Sequence, residues 1–168
     1  MRDPKLSLLL LLVLIPVISL TKPVSAEALT MEKLNKTYLT AYQSNDDRIW
    51  HIYCKRYCSG QVDSIRISPE VDVYDQRMGY SEPILMGDGS VIYCAMLAHK
   101  QVVGDSAYIL VMKSIDVGDT WEIDATVGKE QAIARHLAAE YKNGVIRLMW
   151  EDCRDGYWRI YYEEINTD

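Results

Sequence analysis

Ser114-Ile115-Asp116-Val117-Gly118-Asp119-Thr120-Trp121 follows a β-rich run, Ala107–Lys113, and has the pattern Ser-x-Asp-x-Gly-x-Thr-Trp. That pattern suits a tight turn between two strands. An Asp side chain accepts hydrogen bonds from backbone N–H groups a few residues on, which lets Asp116 hold the turn closed. Gly118 admits a positive φ at no steric cost. Ser114 and Thr120 offer further local bonds, and the Trp121 ring can lie under the turn. The stretch therefore predicts a strand, a turn and a second strand.

Outward from this turn the chain repeats itself. Thr37–Tyr53 lies over Val145–Tyr161 without a gap, at an offset of 108 residues. Tyr42 falls on Trp150, Asp47 on Asp155, Trp50 on Trp158, Ile52 on Ile160 and Tyr53 on Tyr161. A middle copy sits at about half that spacing, since Gly89 to Gly144 is 55 residues. A period of about 40–55 residues with several strands in each unit is the signature of propeller blades. Inner strands are predicted at Ala28–Lys33, Ser81–Met86 and Arg135–Tyr141. Second strands fall at Thr37–Gln43, Ser90–Ala98 and Val145–Glu151. Third strands fall at Ile49–Lys55, Ala107–Lys113 and Tyr157–Glu164, and fourth strands at Ser64–Ser68 and Thr120–Thr126. Lys129–Asn143 is rich in Ala and Glu, and helix propensity alone makes it helical. The repeat makes its second half an inner strand, and the repeat is preferred because tertiary context overrides propensity.

Ser114, Asp116, Gly118, Thr120 and Trp121 together resemble the Asp-box, or BNR repeat, of the sialidase (neuraminidase) superfamily. Gly144-Val-Ile-Arg-Leu-Met-Trp150-Glu-Asp152 adds to the resemblance, which spans the chain beyond its leader. It implies an all-β fold, a sialidase-like β-propeller with about three four-stranded blades, half of a six-bladed ring. The blades would span 27–70, 71–127 and 128–168. In that family the box joins the two outer strands of a blade, far from the catalytic centre, so these five residues are structural.

Residues 1–26 read as a signal peptide. Arg2 and Lys5 open it, Leu6–Leu20 is nearly all apolar, and Val24-Ser25-Ala26 forms a small-residue cleavage site. The apolar run falls short of the ~20 residues a spanning helix needs. No transmembrane span is therefore expected after cleavage, and the chain is expected to be secreted or associated with the cell envelope. Beyond Ala26 there are 15 basic and 23 acidic residues, with no basic block. That excludes a nucleic-acid surface. Twelve Tyr and four Trp with no Phe suit strands and sugar-facing surfaces alike. In an exported chain the four cysteines suggest disulfides, and Cys54–Cys58 is a candidate staple for the boxless turn of the first unit. No cysteine or histidine spacing suits zinc. The acidic runs Glu151–Asp155 and Asn45–Asp47 read as solvated turns ahead of calcium ligands. No metal and no cofactor is expected. Asn35-Lys36-Thr37 fits a glycosylation acceptor.

The resemblance implies an arginine cluster, an Asp acid and a Tyr–Glu pair for a catalytic member. Glu82, in Ser81-Glu82-Pro83, stands where the family carries its Glu. Met96 stands where an Arg would follow, so the structural reading of Glu82 comes ahead of the catalytic one. Arg135 lies on a predicted inner strand and is the best candidate for anion contact. The plainer alternative pairs it with Glu130 or Glu140 at the rim. His136 beside it reads as an orienting or packed residue. No Tyr stands out as a nucleophile.

Three blades leave two open sheet faces. A homodimer or a partner propeller chain would close them. The expected function is a non-catalytic module that binds a glycan or a protein. The alternative is an exo-α-sialidase-like glycosidase, active only once dimerisation completes the propeller.

Overall fold

The computed structural model describes residues 37–46, 48–70, 78–89, 91–100, 106–128 and 132–167. The leader, the expected strand Ala28–Lys33 and the acceptor at Asn35 lie outside these residues. Among the described residues every regular element is a strand, and no helix is long and apolar enough to cross a membrane.

Two-residue turns punctuate the strands. Asn143 and Gly144 both have positive φ, 53° and 76°, and join β8 (Ala134–Lys142) to β9 (Val145–Asp152). Asn-Gly is the pair that fits such a turn, because both positions demand the left-handed region and the resulting twist matches the flanking strands. Ser59-Gly60 does the same between β2 (Ile49–Cys58) and β3 (Gln61–Arg66). The alanine-rich stretch is thus the strand β8. Its period-two contacts with the core outweigh its helix propensity.

The strands form three antiparallel sheets. The first is β1 (Tyr38–Asp46), β2 and β3. The second holds four strands, β4 (Met78–Gly87), β5 (Ile92–Lys100), β6 (Ala107–Ser114) and β7 (Glu122–Val127). The third is β8, β9 and β10 (Arg159–Asn166). The sheets stack face to face, with the four-stranded sheet in the middle.

That arrangement explains the sequence of β5. Ile92 through Ala98 is buried throughout, because alternate side chains feed two different cores. Ile92, Cys94 and Met96 pack with Leu39, Ala41, Ile52 and Cys54 of the first sheet. Tyr93, Ala95 and Leu97 pack with Ile146, Leu148 and Trp150 of the third. The outer sheets alternate instead, one face in the core and one in water.

The inner strands β4 and β8 each carry a bulge at the same place. The register slips by one residue between Ser81 and Ile84, and again between Arg135 and Ala138. Glu82 (φ 53°) and His136 (φ 54°) hold the left-handed conformation there.

The cysteine expectation is corrected. Cys54, Cys58, Cys94 and Cys153 are all free. β2 runs on through Cys58, so Cys54 and Cys58 share one strand. Four residues at ~3.3 Å each separate them by about 13 Å, beyond the ~7 Å limit for a bridge.

Candidate functional site

The turn at 114–121 closes on itself. Ser114 Oγ donates to Asp116 Oδ1 (2.8 Å), and the Gly118 N–H donates to Ser114 Oγ (2.8 Å). Thr120 gives Asp116 two bonds, from its N–H to Oδ1 (2.8 Å) and from its hydroxyl to Oδ2 (2.6 Å). The Trp121 indole N–H reaches the Gly118 carbonyl (3.2 Å). The Thr120 hydroxyl and N–H, with Ser114, hold the Asp116 carboxyl down at about 2. The turn also leans on the first sheet. Val117 and Trp121 pack on the core shared with Leu39, and Arg56 of β2 pairs with Asp119. These residues couple two sheets and offer no reactive group.

The chemistry-bearing side chains gather where the inner strands bulge. Glu82 Oε2 accepts the Leu137 N–H at 2.6 Å. The bulge in β8 takes that N–H out of the ladder with β9, and a carboxylate from the neighbouring sheet satisfies it. Glu82 is therefore a strut between the second and third sheets. Beside it, Ser81 Oγ lies 2.5 Å from His99 Nε2.

Arg135 does not pair with Glu140. Its Nε donates to Glu151 Oε2 at 2.9 Å, and its guanidinium lies 3.7 Å from the Trp158 ring centroid. Its other expected rim partner, Glu130, lies outside the described residues. His136 Nδ1 stands 3.3 Å from the same Glu151 oxygen. The bond from Arg135, aided by His136, holds the Glu151 carboxyl below the usual range. Trp158 and its neighbour Tyr157 are exposed.

Asp152 backs this surface and is not a free ligand for calcium. Burial pushes its carboxyl up, but bonds from the Arg154 side chain, the Arg154 N–H and the Trp150 indole outweigh that and hold it low. The Arg154 guanidinium stacks on Tyr161 at 3.8 Å. Among the described residues no group of three or more His, Cys, Asp and Glu is arranged to hold a metal ion.

Glu82, Arg135 and His136 are thus brought to one end of adjacent inner strands. Glu151 and Trp158 join them, and sequence reasoning had not linked either to Arg135. The repeat pointed at Trp158 through Trp50. Glu151 was hidden by the bulge, since counting back from the Asn143-Gly144 turn sets Arg135 against Asp152 instead.

The chemical content of this surface is a guanidinium stacked on an indole, a carboxylate below the usual range and an imidazole. Flat aromatic area beside planar donors and acceptors suits a polyhydroxylated ring.

No family model and no curated protein matches the chain. Solved structures do. A GH93 α-L-arabinofuranosidase of Fusarium graminearum, in complex with arabinobiose, superposes with a TM-score of 0.60 at 18% identity, over 83% of this chain and 44% of its own. A Penicillium chrysogenum α-L-arabinanase, also with arabinobiose, gives a TM-score of 0.54 at 14% identity, over 79% of this chain and 42% of its own. The chain spans less than half the length of these neighbours. Their likeness carries the fold: an all-β chain whose three stacked antiparallel sheets form part of a β-propeller.

Proposed function

We propose that the chain is an exported, non-catalytic β-propeller module that binds a glycan through the surface of Arg135, Glu151, His136 and Trp158. The observation that carries this reading is the Arg135–Trp158 stack held by Glu151 at the inner-strand end. It pre-orders two planar groups, which lowers the entropy that a ligand must take up on binding. The candidate catalytic carboxylate supports the same reading, because Glu82 is committed to the Leu137 N–H. That the solved neighbours carry arabinobiose agrees with a sugar as the ligand class.

Titration calorimetry with arabinobiose, longer arabino-oligosaccharides and sialyllactose tests the proposal. Saturable heat is expected with at least one of these, lost in Trp158→Ala and weakened about tenfold or more in Arg135→Ala. Absence of binding to every sugar would sink it.

The second reading, a sialidase-like glycosidase, has one observation in its favour. Glu82 sits in a strained backbone conformation, and strain of this kind gathers at functional sites. Turnover of a fluorogenic sialoside that disappears in Glu82→Gln would establish it and displace the non-catalytic reading.

A further inference from the structure

The three sheets stack in one sense, and each has two kinds of face. Leu39 and Ala41 of β1 point forward into the core with the second sheet. Fifty-four residues on, Tyr93 and Ala95 of β5 point forward into the core with the third sheet. Another 54 residues on, Arg147 and Met149 of β9 occupy the same forward face, and among the described residues no sheet covers it. Strand pairing is the same at both ends of the stack: Ala41 stands opposite Cys54 as Met149 stands opposite Tyr162. Burial is reversed. Ala41, Ile52 and Cys54 are 0%, 0% and 1% exposed, whereas their repeat equivalents Met149, Ile160 and Tyr162 are 47%, 67% and 56% exposed.

The rear faces tell the same story. In the third sheet Trp150 and Tyr161 stack at 6.0 Å and pack on the second sheet. Their repeat equivalents, Tyr42 and Tyr53 in the first sheet, stack at 5.7 Å with a similar interplanar angle, 23° against 27°. Among the described residues no sheet covers that pair. Tyr38 and Tyr57 extend the aromatic rear face and, with Val62, line a hollow of about 560 Å³. On the forward face Met149, Tyr162, Glu140 and Arg147 line a hollow of about 310 Å³.

We infer that the free forward face of the third sheet docks on the free rear face of the first sheet of a second copy of this chain. Two such contacts close a two-fold ring. Each contact repeats the sheet-on-sheet packing already present twice within the chain. On the forward face Glu140 and Glu164 flank Arg147 at 3.0 and 2.9 Å, and the register sets Lys142 on the same face, so its charges balance. The rear face presents Lys55, which lies over Tyr57 at 5.4 Å. Two copies together also match about one full length of the solved neighbours, of which one copy covers 44%. This inference rests on face equivalence, and the docked face borders the proposed sugar surface, since Ile160 stands opposite Glu151.

The contact is heterologous, and that gives a sharp test. Light scattering on the purified chain is expected to show twice the mass of one copy. Ile160→Glu on the forward face and Tyr57→Glu on the rear face should each reduce the mass to one copy. Their circular dichroism should stay unchanged, since both side chains are exposed, and their melting should lose the dependence on protein concentration that association gives the wild type. Mixing the two variants should restore a two-copy species, because one intact forward face then meets one intact rear face. A wild-type monomer, an open-ended polymer, a dimer indifferent to both substitutions, or a mixture that stays monomeric would each overturn the inference.

Discussion

Asp116 shows how one side chain can set a local geometry. It accepts from Ser114 and twice from Thr120, and the hydrogen bonds hold its carboxyl at about 2 against an ordinary 3.8. Because the folded value is depressed, its contribution to stability is complete above the ordinary value and is lost as the pH falls from about 4 towards 2. Asp116→Asn keeps one acceptor and loses the charge. It is expected to cost about 1–2 kcal/mol at neutral pH, and its stability should change less than wild type across that acid window. Chemical unfolding at several pH values checks both statements. Glu82 acts at the same scale. Glu82→Ala strands the half-buried Leu137 N–H and should cost about 1–3 kcal/mol, whereas Glu82→Gln retains an acceptor and should cost much less. Equal losses in a thermal melt would show that the strut is not a hydrogen bond to the peptide.

At the scale of the element, strand existence was legible and strand slippage was not. Alternation, turn pairs and the repeat located β1 to β10 to within a few residues. The repeat, set against propensity, identified β8. The bulges were invisible because Glu82 has no side-chain preference for a positive φ and the modest enrichment of His there does not by itself mark His136. That one-residue slip decides the site, since it moves Arg135 from Asp152 to Glu151. The cysteine staple failed for a related reason, as the Ser59-Gly60 turn falls two residues later than the staple required. Gly87 closes β4 under the same kind of local demand. A Cβ there would lie 2.2 Å from the Val91 carbonyl oxygen. Gly87→Ala is therefore expected to destabilise by about 2 kcal/mol or more, since it combines overpacking with a disfavoured φ. A shift in the denaturant midpoint at constant slope would measure it.

For the molecule as a whole, the repeated blades were readable from the 108-residue offset, whereas the middle place of the second sheet is shown by the doubly buried run in β5. What the sequence concealed was which outward residues belong to the stack. Met149 and Ile160 look like core residues in any window, and only the three-sheet arrangement shows them at its open end. The middle sheet should dominate cohesion because it feeds both cores. Leu110→Ala, at a site with no exposure, is expected to cost about 2–5 kcal/mol. The Leu110 side chain lies in the core shared with the first sheet, and because the middle sheet joins both cores the loss should appear as one cooperative unfolding transition at lower temperature rather than two.

The free cysteines have a practical consequence. Cys54 of the first sheet and Cys94 of the second lie in the core that joins those sheets. Burial raises the Cys54 thiol to about 11, and burial, followed by the neighbouring Cys54, raises Cys94 further. Neither thiol ionises near neutrality while the core is shut, so neither attacks an alkylating reagent. Cys58 and Cys153 are half exposed and lie outside that core. The chain therefore carries a built-in stopwatch: two thiols that are tagged at once give the zero of the clock. Two that are tagged only when the first and second sheets part give, by mass spectrometry over time, the rate at which the molecule breathes.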